Sequence, residues 1–207
     1  MSIQSAYNTW AATYDAVLNK TRDAEAAAIR QVLADVPFAD AIEIGCGTGK
    51  NTAWLAEKAA HLIAVDFSAE MLSQAQRKIK RSNIRFQQAD ITKEWTFVNI
   101  QTELIACSLI LEHIQNLNFV FQQAFQALKP GGFLYVGELH PFKQYQGSKA
   151  RFENGSGIVE LECFIHHVSE YMAIAKNHGF QCAELREWFD DKDSDAIPRI
   201  ITCLFQK

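Results

Sequence analysis

At 207 residues, with 48% hydrophobic and 21% charged side chains, the chain has the composition of an ordinary globular domain with length enough to bury a sizeable core. A formal net charge of −4 argues against a phosphate-backbone partner, which wants a basic face. No apolar run reaches the roughly 18 to 20 residues of a membrane span. Residues 1–14 lack a basic stretch leading into an apolar core, so no signal peptide is expected.

Residues 1–20 carry Tyr7, Trp10, Ala11, Tyr14, Val17 and Leu18 at spacings of three and four. That spacing predicts an amphipathic helix with an aromatic stripe, either packed on the domain or closing over a ligand. A second, alanine-rich helix over 23–33 ends before Pro37. A short apolar strand, 41–44, then runs into Gly45, Gly47 and Gly49, and a helical pattern starts near Asn51. Strand, glycine turn and helix in that order open a nucleotide-binding βαβ unit. The glycines let the backbone press against a ligand, and free N–H groups at the helix start favour an anionic group.

The second strand, 61–66, ends in Asp66, 21 residues beyond Gly45 and near the spacing at which a carboxylate meets a ribose. The alternative for Asp66 is a helix cap, but Ser68 holds the better cap position before a helix over 69–80. A third strand, 84–88, leads into Ala89, Asp90 and Ile91 on the ligand side of an open sheet. Strands over 104–109 and 133–138 flank a helix through Phe119–Leu128, which Lys129-Pro130-Gly131-Gly132 stops. Repeated strand–helix alternation implies a mostly parallel sheet with helices on both faces. Beyond Glu138 the pattern changes. Residues 139–157 are polar and rich in glycine, 158–165 alternate as a strand, and 168–178 form a helix closed by Gly179. Two final strands follow over 181–188 and 199–205, joined by an acidic run, 190–195, that reads as a solvated loop.

The five cysteines (46, 107, 163, 182 and 203) are odd in number and contain no C-x2-4-C pair. Cys46, Cys107 and Cys203 lie in apolar strand patterns, so buried reduced thiols, a cytoplasmic chain and no metal are expected.

A dinucleotide fingerprint would place its last glycine at position 50, where Lys50 stands; the third glycine comes one residue early, and no Walker Lys-Ser/Thr follows. Glu43-Ile-Gly-Cys-Gly-Thr-Gly49 resembles the first motif of the class I S-adenosylmethionine-dependent methyltransferases. Residues 65–72 resemble their second motif, 88–91 their third, and 108–113 and 128–133 two later ones, while 7–15 are similar to their leading helix. The resemblance runs in register from about residue 7 to 138 and is nearest to the small-molecule, methyltransferase type 11-like group. Two departures are Glu43 and Glu103, each standing where the family more often has Asp.

The resemblance implies a Rossmann-like, seven-stranded, mostly parallel sheet with its last strand antiparallel, an N-terminal helical lid and an insertion after strand 5. The chain divides accordingly into N-terminal helices (1–36), a cofactor-binding core (37–138), an acceptor-side insertion (139–167) and a C-terminal helix with a strand pair (168–207). The cofactor would be S-adenosyl-L-methionine, leaving as S-adenosyl-L-homocysteine. Gly45, Cys46 and Gly47 would face its methionine end, with Glu43 orienting the loop and Ser108 lining that side. Asp66 would hold the ribose, Phe67 and Met71 would pack on the adenine, and Ala89, Asp90 and Ile91 would meet its edge. Tyr14 could close over the cofactor, and His113 lies beside it.

Methyl transfer is an in-line displacement, so a general base is needed only when the acceptor carries a proton. His113 and His140, just after the fourth and fifth strands, both qualify by position, and His140 is the expected catalytic candidate; Glu138, Tyr145, His166 and His167 are weaker ones. The stretch Cys107-Ser-Leu-Ile110 lacks the prolines of the nucleic-acid amino-methylating members, so a small, partly apolar or planar acceptor is expected rather than nucleic acid. A protein or RNA methyltransferase and a non-catalytic S-adenosylmethionine-binding module are the alternatives.

Overall fold

Buried apolar residues alternate between two faces along the central strands, and that alternation builds the sheet seen in a computed structural model, which describes residues 2–154, 157–190 and 197–207. Five strands, β1 (Asp40–Ile44), β2 (His61–Asp66), β3 (Ile84–Gln88), β4 (Thr102–Ser108) and β5 (Leu128–Leu139), pair in parallel. A hairpin of β6 (Arg151–Asn154) and β7 (Gly157–Glu160) stands apart from them. β8 (Gln181–Trp188) and β9 (Ile200–Gln206) complete the main sheet, whose order is β3-β2-β1-β4-β5-β9-β8 with β9 antiparallel to both neighbours.

Leu104 and Ala106 of β4 and Tyr135 of β5 face one layer, built from α2 (Lys20–Val32) and α3 (Thr52–Lys58). Ile105, Cys107, Leu134 and Val136 face the other, with α5 (Asn118–Ala127) and α7 (Val168–Asn177). Both faces are therefore dry, which is why these strands read as continuous apolar runs. Cys46, Cys107 and Cys203 are buried free thiols, as their strand contexts suggested.

Several element boundaries differ from the sequence reading, each for a local reason. The N-terminal helix, α1 (Ile3–Trp10), stops early, and after a 3-10 turn at Tyr14–Ala16 the Asn19 side chain accepts from the Arg22 N–H to start α2 three residues sooner than expected. α4 (Ala69–Lys78) begins where expected, with Ser68 Oγ accepting from the Met71 N–H at 3.1 Å. In the insertion, α6 (Pro141–Tyr145) and β6 arise where the sequence suggested irregular chain. The expected strand over 158–165 shortens to β7, because the following residues bind the loop after β4 instead: the Phe164 N–H donates to the Glu112 carbonyl at 2.7 Å. Asp190 is ion-paired with Arg199, while the rest of the acidic run lies outside the described residues.

The loop after β4 is held by one carboxyl group. Glu138 Oε1 accepts from the N–H groups of Ile110 and Leu111 at 2.9 and 2.8 Å, and the side chain is buried. Burial, with Glu112 adding repulsion, pushes its pKa up to about 8. Folding therefore takes up a proton on Glu138 between its unfolded pKa and about 8, so its effect on stability becomes less favourable as pH rises through that window and levels off above it. Glu138→Gln keeps the acceptor oxygen without the titration; calorimetric melting midpoints from pH 5 to 9 should fall less steeply for this variant than for the wild type.

Candidate functional site

The strand order reverses between β1 and β4, and in an open α/β sheet a crevice forms outside the carboxyl ends of the strands at such a point. Three connected chambers occupy it. The first, about 720 Å³ counting space open to solvent, lies over the glycine loop and is lined by Glu43, Gly45, Cys46, Gly47, Asp66 and Ser108, among others. The second, about 630 Å³, shares Gly45, Asp66, Phe67 and Ile110 with the first and adds Ala89, Asp90, Ile91 and His113. The third, about 1380 Å³, meets the first at Tyr7, Tyr14, Arg22 and Leu109 and extends under residues 146–151 of the insertion.

The loop is shaped by backbone geometry. The N–H groups of Gly45 and Cys46 both donate to the Val65 carbonyl, tying the turn to β2. Gly45 has φ +71°, and a Cβ there would stand 2.9 Å from Ile110 Cβ. Gly47 has φ +53°, but nothing lies within 4 Å of where its Cβ would be, so its surface is open to a ligand. The Gly47 N–H donates to Asp66 Oδ2 at 2.8 Å and the Ser68 N–H to Oδ1 at 2.9 Å. Each oxygen of Asp66 thus keeps a lone pair for a further donor.

Electrostatically the first chamber suits a cation. Glu43 is buried and accepts from Thr52 Oγ1 at 2.5 Å; burial pushes its pKa up to about 8. Burial likewise carries Asp66 up to about 6, against the pull of its backbone hydrogen bonds. Glu25, also buried and raised, accepts from Ser108 Oγ at 2.7 Å, Tyr135 OH at 3.1 Å and Asn51 Nδ2 at 2.8 Å. This corrects the expectation of an anion site at the helix start: three buried carboxyl groups line the chamber there. Opposite them, Arg22 lies 4.0 Å from the Tyr14 ring centroid and donates to the carbonyls of Tyr14 and Val17. Its buried Nε has no partner among the described residues.

The N-terminal segment closes the chambers with aromatics. Tyr7 OH stands 2.8 Å from His113 Nε2, while His113 Nδ1 faces the Glu162 carbonyl at 3.0 Å. A carbonyl only accepts, so Nδ1 carries the proton and Nε2 accepts from Tyr7. His113 thereby joins α1, the loop after β4 and the insertion. Glu112, His113 and Cys163 place ligand atoms within 4.8 Å of one another, but a metal there would have to displace one of those two bonds of His113.

The sequence-predicted residues divide by position. Tyr14, Glu43, Gly45, Cys46, Gly47, Asp66, Phe67, Met71 and Ser108 come together in the first chamber; Ala89, Asp90, Ile91 and His113 lie in the second, with Phe67 at the junction. Met71 lies with the glycine loop rather than beside Asp90. Asp90 Oδ1 is already engaged by the N–H and hydroxyl of Thr92 at 2.9 and 2.6 Å. His140 lines none of the three chambers. It caps α6, with Nδ1 accepting from the Phe142 N–H at 3.2 Å and Nε2 donating to Glu187 at 3.0 Å. His166, buried, bonds the Ile114 carbonyl and Glu170, and the exposed Tyr145 bonds His167. Sequence reasoning missed Glu25 and Arg22. The available signal was a lone glutamate among alanines in a helix that otherwise buries its small residues.

Residues 41–132 match the family model described as a methyltransferase domain. This segment is a methyltransferase domain. It is 30% identical over 117 residues to a trans-aconitate 2-methyltransferase of Deinococcus radiodurans, covering 56% of this chain and 43% of that protein. It is 26% identical over 188 residues to the biotin biosynthesis bifunctional protein BioHC of Cellvibrio japonicus, covering 87% and 35%. The chain thus spans less than half the length of these curated relatives. Among solved structures, a complex of DhpI with S-adenosylhomocysteine superposes with a TM-score of 0.78 at 23% identity, over 98% of this chain and 93% of that one. An S-adenosylmethionine-dependent methyltransferase from Mesorhizobium loti superposes at 0.73 and 19%, over 89% and 98%. The methyltransferase fold thus extends through the insertion and the C-terminal strands.

Within that fold the two loop glycines should differ in cost. Gly45→Ala strains a positive φ and meets Ile110, so urea unfolding should show a loss of about 2 to 4 kcal/mol. Gly47→Ala strains φ alone, and about 1 kcal/mol is expected.

Proposed function

We propose that the chain binds S-adenosyl-L-methionine across the first and second chambers and passes its methyl group to a small molecule held in the third. The observation that carries this reading is the wall of Tyr7, Tyr14, Arg22 and Leu109 shared by the carboxyl-lined crevice over the glycine loop and a separate, larger chamber. The residues present fit the cofactor. Gly47 leaves a Cβ-sized opening for close approach, the positive charge of Arg22 in the chamber wall suits the methionine carboxylate, and Glu25 and Glu43 suit its positive amino group. Relatives named for trans-aconitate and demethylmenaquinone support a small acceptor.

In this reading Asp66 accepts from the ribose hydroxyls, Phe67 packs between the chambers, and Ala89, Asp90 and Ile91 meet the adenine edge. Glu43 holds the loop through Thr52, and Ser108 and Cys46 line the methionine side. Tyr14 and Tyr7 close the N-terminal side, with His113 anchoring Tyr7. When bound, S-adenosylmethionine supplies an electrophilic methyl group open to in-line displacement. The protein contributes alignment and exclusion of water, and alignment alone can lower a barrier by roughly 7 to 11 kcal/mol.

Calorimetry should show S-adenosylhomocysteine binding to the wild type, and Asp66→Ala should weaken it by about 3 kcal/mol, roughly a hundredfold, through loss of two hydrogen bonds to a charged acceptor. Absence of binding by the wild type, or binding of NAD in its place, would refute the reading. Because Asp66 titrates near pH 6, affinity should decline as pH falls through that value and the carboxylate is neutralised. Asp66→Asn should bind weakly without that step in an isothermal titration series from pH 5 to 8.

A further inference from the structure

The third chamber differs in polarity from the first. Trp10, Tyr14 and Leu139 give it apolar walls, while Lys149 and Arg151 also line it and Arg22 is shared with the first chamber. Its acidic lining residue is Glu112, which is buried, accepts from Gln144 Nε2 at 3.2 Å, and is drawn toward its neutral form by that burial. Three basic side chains around one concavity are notable in a chain of net charge −4. A low-dielectric concavity focuses such a field on its contents. Lys149 has an acidic neighbour, Glu160 at 3.6 Å, but both side chains are about half exposed, and a pair of that kind is worth little and yields readily to a ligand.

The basic lining is also fixed in place. Phe152, next to Arg151, stacks on Trp10 with ring centroids 5.1 Å apart and planes at 16°. Ala6, Trp10, Phe152 and Leu161 form a buried cluster joining α1 to the β6–β7 hairpin. The cations therefore sit on an element packed against the same N-terminal segment that covers the first chamber.

The donor side is acidic, the acceptor side basic, and no histidine lines the third chamber among the described residues. Resting on the methyltransferase reading above, we infer that the third chamber binds a small oxyanion, a carboxylate or a phosphate or phosphonate, through Lys149 and Arg151, and that the oxyanion itself receives the methyl group. The balance closes without a base. An oxygen lone pair forms the new O–CH3 bond as the S–CH3 bond breaks, the electron pair returns to sulfur, and one negative and one positive charge cancel. No proton moves, so His140 can remain engaged as a helix cap.

The test is methyl transfer from tritium-labelled S-adenosylmethionine into a metabolite extract that is first split by ion exchange into anionic, neutral and cationic acceptor pools, each then incubated separately with the protein. The expected result is label in the anionic pool, in a product carrying one negative charge fewer than its acceptor. Release of the label as methanol in mild alkali identifies a carboxylate ester, and alkali-stable label identifies a phosphate or phosphonate ester. Lys149→Glu with Arg151→Glu should leave S-adenosylhomocysteine affinity within about twofold, which also reports folding, and should lower transfer at least tenfold, chiefly by raising KM. Label in the neutral or cationic pool, a product that keeps its acceptor's full charge, unchanged transfer by the double variant, or no transfer by a protein that binds S-adenosylhomocysteine would each overturn the inference. Failure of the wild type to bind S-adenosylhomocysteine would instead remove the cofactor reading on which it rests.

Discussion

Burying a carboxyl group is costly unless it is neutralised or bonded, and four of them, Glu25, Glu43, Asp66 and Glu138, are buried around the ends of the central strands. Burial raises the pKa of every one. A chain selected only for stability would fill these positions with apolar side chains of similar volume. Here each carboxyl group has a mechanical task as well. Glu43 holds the start of α3 through Thr52, Asp66 ties Gly47 to the end of β2, and Glu138 seats the loop after β4. Glu25 draws Ser108 and Tyr135 toward α2, and Gly137 is required beside them because a Cβ there would stand 2.5 Å from the Tyr135 hydroxyl.

The same constraint governs how the crevice is covered. Tyr7 and Tyr14 come from outside the sheet; both pack on the small buried cluster of Ala6, Trp10, Phe152 and Leu161, and their rings are fixed further by His113 for Tyr7 and by the guanidinium of Arg22 for Tyr14. Gln4 Nε2 reaches the Phe67 carbonyl at 2.6 Å, and Ser68 Oγ reaches Asn8 at 2.7 Å. Each of these hydrogen bonds is worth only about 1 kcal/mol net, so the small aromatic cluster carries a share of holding the cover. His113 also bonds the Glu162 carbonyl, so displacement of α1 and of the insertion are mechanically linked through one imidazole.

The parts of this architecture readable from the sequence are those fixed by backbone geometry and strand burial. The glycine loop, Asp66 at a strand end and the Ser68 cap depend on short-range rules, and the structure assembles them as those rules require. The insertion depends on long-range partners. Its one expected strand, 158–165, is cut short because Glu162 and Phe164 bind the loop after β4, some fifty residues away in the chain, and no local pattern encodes that. His140 shows the same limit. Its place after β5 puts it on the correct edge of the sheet, but its orientation is set by Phe142 and by Glu187 on β8, which turn the ring away from the chambers. Glu25 and Arg22 were hidden for the opposite reason: helical periodicity marks which residues face inward, not which of them meet a cavity.

The strain at Leu109 bears on how the two chambers communicate. It is the non-glycine residue with positive φ, +53°, among the described residues, and it lines both the first and the third chamber. Such a conformation costs of order 1 to 3 kcal/mol and persists only where the surroundings over-determine it. They do so here from both sides: the Leu109 N–H donates to the Gly137 carbonyl at 2.8 Å, and the next two N–H groups donate to Glu138. The strained peptide therefore belongs to the wall between the first and third chambers, and its support is β5, the strand that leads into the insertion. The same strand carries both the support of this wall, through the Gly137 carbonyl and Glu138, and the start of the insertion, so a shift of the insertion acts first on β5 and through it on Leu109.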